Sequence, residues 1–205
     1  YVEDVRKYLV DKYGFDKIYK QGLTIKTPIN LELQSIATES LREGLEKYDR
    51  RKGWRGPIMN KKISDKWNTN LKKYKLEKTI GWNLAIIKKI NKFSVKIETE
   101  NKVQGIIKYK DISWTKKELD KIFNKGDIVY VKNIKDNLFS LKQIPKANGS
   151  IIVLNPYNGR VLAMSGGFSF KLSEFNRATQ ALRQPGSAFK PFIYTLALEN
   201  NYTPS

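Results

Sequence analysis

The sequence contains no cysteine and no histidine. The first absence excludes disulfides and thiolate metal sites. The second removes Ser-His-Asp and Cys-His nucleophile systems, and histidine-ligated zinc, in one step. A transfer or hydrolytic enzyme made from these residues has only lysine or a carboxylate to serve as its base. No run of 18 apolar residues occurs, so nothing reads as a bilayer-spanning helix, and no secretory leader is visible. The chain opens on Tyr1 and stops at Ser205 just past a helical run. Both ends read as cuts in something longer.

Acidic residues are also scarce. Asp and Glu number 20 against 39 Lys and Arg, for a net charge of +19. The first 50 residues are balanced, and the excess falls between residues 51 and 150, mostly as lysine. Such a balance admits nucleic acid, an anionic lipid surface or an acidic polymer as partner. Scattered lysine is more often a solvated face, because arginine is the better phosphate reader. Hydrophobic residues make up 40% of the chain and aromatics 12%. That is enough for a packed core, and global disorder is not expected.

Val2, Val5, Leu9 and Tyr13 form one stripe at helical spacing, ended by Gly14. Gly22 to Thr27 alternates apolar and polar side chains, which predicts a short strand stopped by Pro28. Asn30 is a good N-cap. Leu33, Ala37, Leu41 and Leu45 then recur every four residues, predicting a second helix to about Tyr48. Residues 50–80 are basic and turn-rich. They read as a connector with one short helix through Trp67, Leu71 and Tyr74. Basic residues interleaved with Trp suit a single nucleic-acid strand, but a solvated linker anchored by its aromatics is the simpler expectation.

The next section has a clearer order. Trp82 to Ile90, Phe93 to Thr99 and Val103 to Tyr109 read as three strands. Thr115-Lys116-Lys117-Glu118 reads as a capping box opening a helix at Leu119. Ile128–Val131 and Leu138–Leu141 are two further strands about a Lys135-Asp136-Asn137 turn. Three strands, a helix and two strands is the order of an OB-fold. Phe93, Tyr109 and Trp114 are the rings available for base stacking there, and core packing explains them equally well. Ile151–Leu154 and Arg160–Met164 then predict a hairpin, with Gly159 supplying positive φ in the turn. The expected fold class is mixed α+β: a helix–strand–helix connector (1–49), a basic connector (50–80), an OB-like five-stranded barrel (81–148) and the start of an α+β domain (149–205).

The chemistry falls on Arg183-Gln184-Pro185-Gly186-Ser187-Ala188-Phe189-Lys190-Pro191, which opens an apolar helical run from Phe192 to Leu198. Ser187 and Lys190 are three apart and share a helix face. A hydroxyl beside an amine at a helix start is a candidate activated nucleophile. Pro191 has no N–H to return to the Ser187 carbonyl, so a loosened first turn is expected.

A lone S-x-x-K is common by chance. Here it follows Asn155-Pro156-Tyr157-Asn158-Gly159-Arg160 and Phe175-Asn176-Arg177-Ala178, in order and correctly spaced. With those segments, residues 149–200 resemble the start of the transpeptidase domain of a bifunctional class A penicillin-binding protein. Gly22 to Thr27 and the helix with Leu33-Gln34 look like the family's interdomain segment. Thr27-Pro28-Ile29-Asn30 departs from its usual T-T-L-D there. Asp49-Arg50-Arg51 and Gly53-Trp54-Arg55-Gly56-Pro57 also look familial, and the OB-like module is similar to the insert of 1A-type members.

The resemblance implies that Ser187 attacks the penultimate D-Ala of a peptidoglycan stem peptide, with Lys190 as general base. The Ser187 N–H would be one oxyanion donor, and β-lactams would acylate the same serine. It implies no cofactor and no metal. The implied partners are stem peptides, glycan strands and a regulatory protein at the OB-like module, in a parent anchored on the periplasmic face of a bacterial inner membrane. A glycosyltransferase domain and the anchor would precede Tyr1, and the S-x-N and K-T-G motifs would follow Ser205. This segment alone is therefore expected neither to cross-link nor to trap penicillin. The competing expectation is an OB-fold module that binds nucleic acid or docks a protein, without catalysis.

Overall fold

The computed structural model describes residues 1–204. Helix α1 spans Val2–Tyr13 and ends at Gly14, which stands at φ 81°. A second short helix, α2 (Phe15–Lys20), follows directly. The predicted strand at 22–27 does not form: the segment belongs to no sheet, and Leu23 and Ile25 are both exposed. Alternation makes a strand only where a neighbouring edge takes up the ladder, and none adjoins it among the described residues. One backbone bond closes the segment, from Asn30 N–H to the Leu162 carbonyl at 2.8 Å.

Helix α3 (Leu31–Arg51) starts where its cap predicts: the Asn30 side chain accepts from Leu33 N–H at 2.9 Å. It runs one turn further than its apolar spacing suggests. The stripe of Ala37, Leu41 and Leu45 continues at the same interval to Asp49, which is 3% exposed. A carboxylate thus occupies the place of the next apolar residue. Asp49 Oδ1 accepts from Arg55 Nη1 at 2.8 Å and from Lys146 N–H at 3.1 Å, and Oδ2 accepts from Gln143 Nε2 at 2.7 Å. Arg55 also donates to the Ile144 carbonyl. One side chain of α3 therefore holds both the chain entering the barrel and the chain leaving it.

The barrel is built as its element order predicts. Strands β2 (Trp82–Asn91), β3 (Ser94–Thr99), β4 (Gln104–Lys108), β5 (Asp127–Lys135) and β6 (Leu138–Lys142) pair in the order β5-β2-β3-β4-β6, and β6 closes back on β5. The β4–β6 contact is parallel and the others antiparallel. Ala85, Ile87, Val95, Ile97, Ile107, Val129, Val131, Phe139 and Leu141 fill the interior. Gly105 is required where β4 meets β6, since a Cβ there would stand 2.4 Å from the Phe139 ring.

The basic stretch before the barrel is more than a linker. A two-residue strand, β1 (Met59–Asn60), extends the sheet beside β5. Trp67 and Leu71, each 1% exposed, pack over the outer face of β2 and β5 against Leu84, Ile86, Ile128 and Tyr130. This explains why β2 is apolar on both parities: one face looks into the barrel and the other lies under this cover. The predicted short helix is replaced by two 3-10 turns, Lys72–Tyr74 and Lys78–Ile80. Trp67 Nε1 donates to Glu98 Oε1 at 2.6 Å, so this ring is not available to stack on a nucleic-acid base.

The capping box also fails. Lys116 stands at φ 58°, which breaks the geometry between Thr115 and Glu118. The helix, α4 (Leu119–Ile122), still starts at Leu119, but with Glu118 at its N-cap and no side-chain cap. The buried Thr115 hydroxyl has no hydrogen-bond partner. Beyond the barrel, β7 (Ile151–Leu154) and β8 (Val161–Ser165) form the expected hairpin, with Gly159 at φ 68°. The hairpin lies along α3, where the Gln34 amide bonds both the N–H and the carbonyl of Met164, at 2.9 and 3.0 Å.

Among the described residues no helix is long and apolar enough to cross a membrane. Substituting Asp49 with alanine leaves Arg55, Gln143 and the Lys146 N–H without their acceptor, and is expected to cost about 3 kcal/mol, read as a lower urea midpoint. Acid should act on the same group. Burial alone raises the Asp49 carboxyl, but its bonds from Arg55, Gln143 and Lys146 outweigh that and hold it below the ordinary range. Burial is likewise outweighed at Glu98 by Trp67 and Lys88. A carboxyl depressed in the folded state contributes stability above its unfolded pKa of about 4, and that contribution is lost as pH falls through the folded value. Urea midpoints should hold between about pH 5 and 7 and drop below about pH 4. Asp49→Asn should flatten that drop, and a midpoint that rises on acidification would contradict the assignment.

Candidate active site

After β8 the chain enters a tied loop. Gly166 is a point of close approach: a Cβ there would stand 1.9 Å from Asn176 Oδ1. The Gly166 carbonyl accepts from Arg177 N–H at 3.1 Å, and Arg177 also donates to the Phe175 carbonyl at 3.0 Å. The Asn176 carbonyl takes bonds from Thr179 N–H and Gln180 N–H, while its own N–H donates to Gln180 Oε1 at 2.7 Å. The Phe175-Asn176-Arg177-Ala178 motif thus builds a compact turn locked onto the Gly166 backbone. Asp4 of α1 reaches this turn from outside, accepting from Asn176 Nδ2 and Thr179 Oγ1.

Ser187 lies in a 3-10 turn, Gly186–Phe189, with Gly186 at φ 53°. The turn leads straight into helix α5 (Lys190–Glu199), which carries Pro191 in its first turn. The Ser187 carbonyl accepts from Lys190 N–H. The first turn is thus tightened, where a loosened one was expected: with the Pro191 N–H missing, the Ser187 carbonyl takes its bond from Lys190 N–H instead. Residues three apart in such a turn lie on the same side of the chain, which puts Ser187 and Lys190 on one side at the junction of the turn and α5. Both are exposed, and their side chains make no hydrogen bond to each other. The Ser187 N–H donates to no acceptor among the described residues and is available to an incoming oxyanion.

Helix α5 is unusual in its surroundings. Phe192, Ile193, Tyr194, Leu196 and Leu198 are all exposed, and none of its residues is buried. A helix apolar on every side is built for an interior. An open groove of about 680 Å³ runs between α1, α3, β8 and the tied loop, lined by Asp4, Gln34, Arg42, Gly166 and Asn176 among others. A second, of about 570 Å³, lies on the barrel between Phe93, Tyr109 and Leu119. Neither is lined by Ser187 or Lys190. No three Asp or Glu side chains converge to hold a metal among the described residues. The sequence pattern singled out the motif around Asn176, but gave no sign of Asp4, which in a first helical turn reads only as a favourable charge for the dipole.

Comparison with known proteins places these elements. A model of the penicillin-binding protein OB-like domain matches residues 54–147, and one of the penicillin binding protein transpeptidase domain matches residues 149–205. Penicillin-binding protein 1A of Rickettsia prowazekii is 38% identical over 210 residues, covering 100% of this chain and 26% of its own. That of Escherichia coli is 30% identical, covering 98% of this chain and 25% of its own. The crystal structure of Penicillin-Binding Protein 1A from Haemophilus influenzae superposes with a TM-score of 0.82 at 32% identity, covering 97% of this chain and 30% of that one. The chain thus spans about a quarter of the length of the curated relatives it matches. By its barrel, its tied loop and its full-length likeness to 1A-type members, the chain belongs to the penicillin-binding proteins.

Proposed function

We propose that this chain carries the nucleophile of a peptidoglycan transpeptidase, with Ser187 as the acyl acceptor and Lys190 as its base. The observation that supports this reading is the turn over Gly186–Phe189, which sets Ser187 and Lys190 three residues apart on either side of one backbone bond and, among the described residues, leaves the Ser187 N–H without an acceptor. Ser187 Oγ attacks the carbonyl of the penultimate D-Ala of a stem peptide, and Lys190 Nζ takes the hydroxyl proton. The Ser187 N–H, at the positive end of α5, faces the oxygen that gains charge. The peptide bond breaks, the terminal D-Ala leaves with a proton, and an ester to Ser187 remains. An amine of a neighbouring stem then attacks the ester, forming the cross-link and freeing Ser187. A β-lactam follows the same first step, except that its ring opens and no group departs.

A lysine base needs a dry, positively biased surrounding to give up its proton near neutral pH. The exposure of Lys190 and of α5 assigns that surrounding to the further transpeptidase elements of a protein of the relatives' length, including its S-x-N and K-T-G motifs. The same parent would carry the glycosyltransferase domain and sit anchored on the periplasmic face of a bacterial inner membrane. A regulatory protein would find its surface on the OB-like barrel, where the exposed rings of Phe93 and Tyr109 flank an open groove. The OB-fold reading without catalysis has no such support, since the most basic segment places its Trp67 in the core.

In the full-length protein, Ser187→Ala should abolish covalent labelling by a fluorescent penicillin. Lys190→Ala should slow it by about 10²- to 10⁴-fold while leaving the thermal midpoint unchanged. Labelling of the Ser187→Ala variant at the wild-type rate would refute the assignment.

A further inference from the structure

We propose that Asp4 is a positioning residue for the reaction at Ser187, acting through the Asn176 turn; this rests on the serine acyl-transfer reading given above. Asp4 uses both carboxylate oxygens on one short segment. Oδ2 accepts from Asn176 Nδ2 at 2.6 Å, and Oδ1 accepts from Thr179 Oγ1 at 2.7 Å. The Asn176 amide is fixed in orientation, because its Oδ1 accepts from Ala178 N–H at 2.9 Å, leaving only its donor side for Asp4. On its other flank Asn176 is pressed against Gly166, where no side chain fits. The turn is therefore clamped between the β8 loop and α1.

Its place along the chain gives the clamp its consequence. From residue 181 to 184 the described backbone and side chains make no hydrogen bond, and the next bond runs from Ala188 N–H to the Pro185 carbonyl inside the Ser187 turn. The Asn176–Gln180 turn is thus the last tied point before the nucleophile. Its position sets where the Ser187 turn leaves the scaffold. No residue of α1 is buried. Tyr1 and Asp4 are the side chains that bond this end of the chain to residues 161–179: Tyr1 Oη donates to the Val161 carbonyl at 2.9 Å, and Asp4 holds the turn. A shift of α1 is passed by Asp4 to the segment that carries Ser187, while Tyr1 passes it only to β8. The upstream helix thereby acquires a lever on acylation that no residue near Ser187 reveals.

The test uses the full-length protein and the rate of acylation by a fluorescent penicillin, with the thermal midpoint measured in parallel. Asn176→Asp sets two carboxylates face to face and should slow acylation by about 10- to 100-fold, as should Asp4→Ala. The exchange Asp4→Asn with Asn176→Asp reverses donor and acceptor but keeps the bonds that join α1 to the turn: the new amide donates to the new carboxylate and accepts from Thr179, Ala178 N–H keeps its acceptor, and only the long contact from Asn176 to the Met164 sulfur is given up. This double variant should return the rate to within about threefold of wild type. Tyr1→Phe, which loosens α1 without touching the turn, should acylate at the wild-type rate. The proposal is overturned if the single variants react normally, if the exchange stays as slow as Asn176→Asp alone, or if Tyr1→Phe is slowed equally. A wild-type protein that takes up no penicillin at Ser187 instead removes the acyl-transfer reading beneath it.

Discussion

The buried carboxylate of Asp49 is the constraint on which the arrangement of the molecule depends. It stands where α3 should place its next apolar residue, and it accepts from the first residues that enter the barrel and the last that leave it. Removing a charge from water is costly unless every lone pair finds a partner. Here three donors from two distant stretches of sequence converge on it. The barrel is thus fixed at its neck to the same helix whose other turns carry the β7–β8 hairpin, through Gln34 and Met164. A second contact reinforces this. Trp82 at the start of β2 packs against Phe168 of the tied loop, with ring centroids 5.3 Å apart. Barrel and hairpin are consequently both held on α3.

The nucleophile region follows the opposite design. The loop from Gly166 to Gln180 is tied by hydrogen bonds, whereas the Ser187 turn and α5 stand out with their apolar side chains bare. The backbone of the turn is nevertheless well defined. Pro191 favours the tight turn, the turn puts Ser187 and Lys190 on one side of the chain, and among the described residues the Ser187 N–H is left without a partner. Local sequence sets the relative placement of the two residues to which the proposed function gives the chemistry. The dry surroundings that would tune them come from elements packed around α5.

Much of this was legible in the sequence, and what was not has physical reasons. Asn30 announced α3 because a cap is a local bond between a side chain and an N–H three residues on. The barrel was legible because its element order is nearly diagnostic and β3 alternates cleanly from Val95 to Ile97. The strand at 22–27 was misread because alternation says nothing about whether an edge is there to pair with. Thr115 and Glu118 had the right spacing for a capping box, but Lys116 adopts a left-handed conformation that no propensity foretold. Trp67 looked like part of a solvated linker because its partners, Leu84 and Tyr130, lie on strands far along the chain. The anchoring roles of Asp49 and Asp4 did not show for the same reason: Asp49 reaches Gln143, 94 residues on, and joins it to Arg55, Asp4 reaches Thr179, 175 residues on, and nothing in a local pattern marks a carboxylate as an anchor. For the candidate site, the S-x-x-K spacing and the Asn-Arg-Ala motif marked the segment that the proposed chemistry uses, while the tie that holds it did not show.

The central claim is that Ser187 becomes covalently acylated. The most direct measurement is mass spectrometry of the full-length protein after exposure to benzylpenicillin, with the adduct mapped by proteolytic digestion. The account predicts one added penicilloyl group, located on the peptide that contains Ser187. An adduct on another residue, or none on a folded protein, would contradict it.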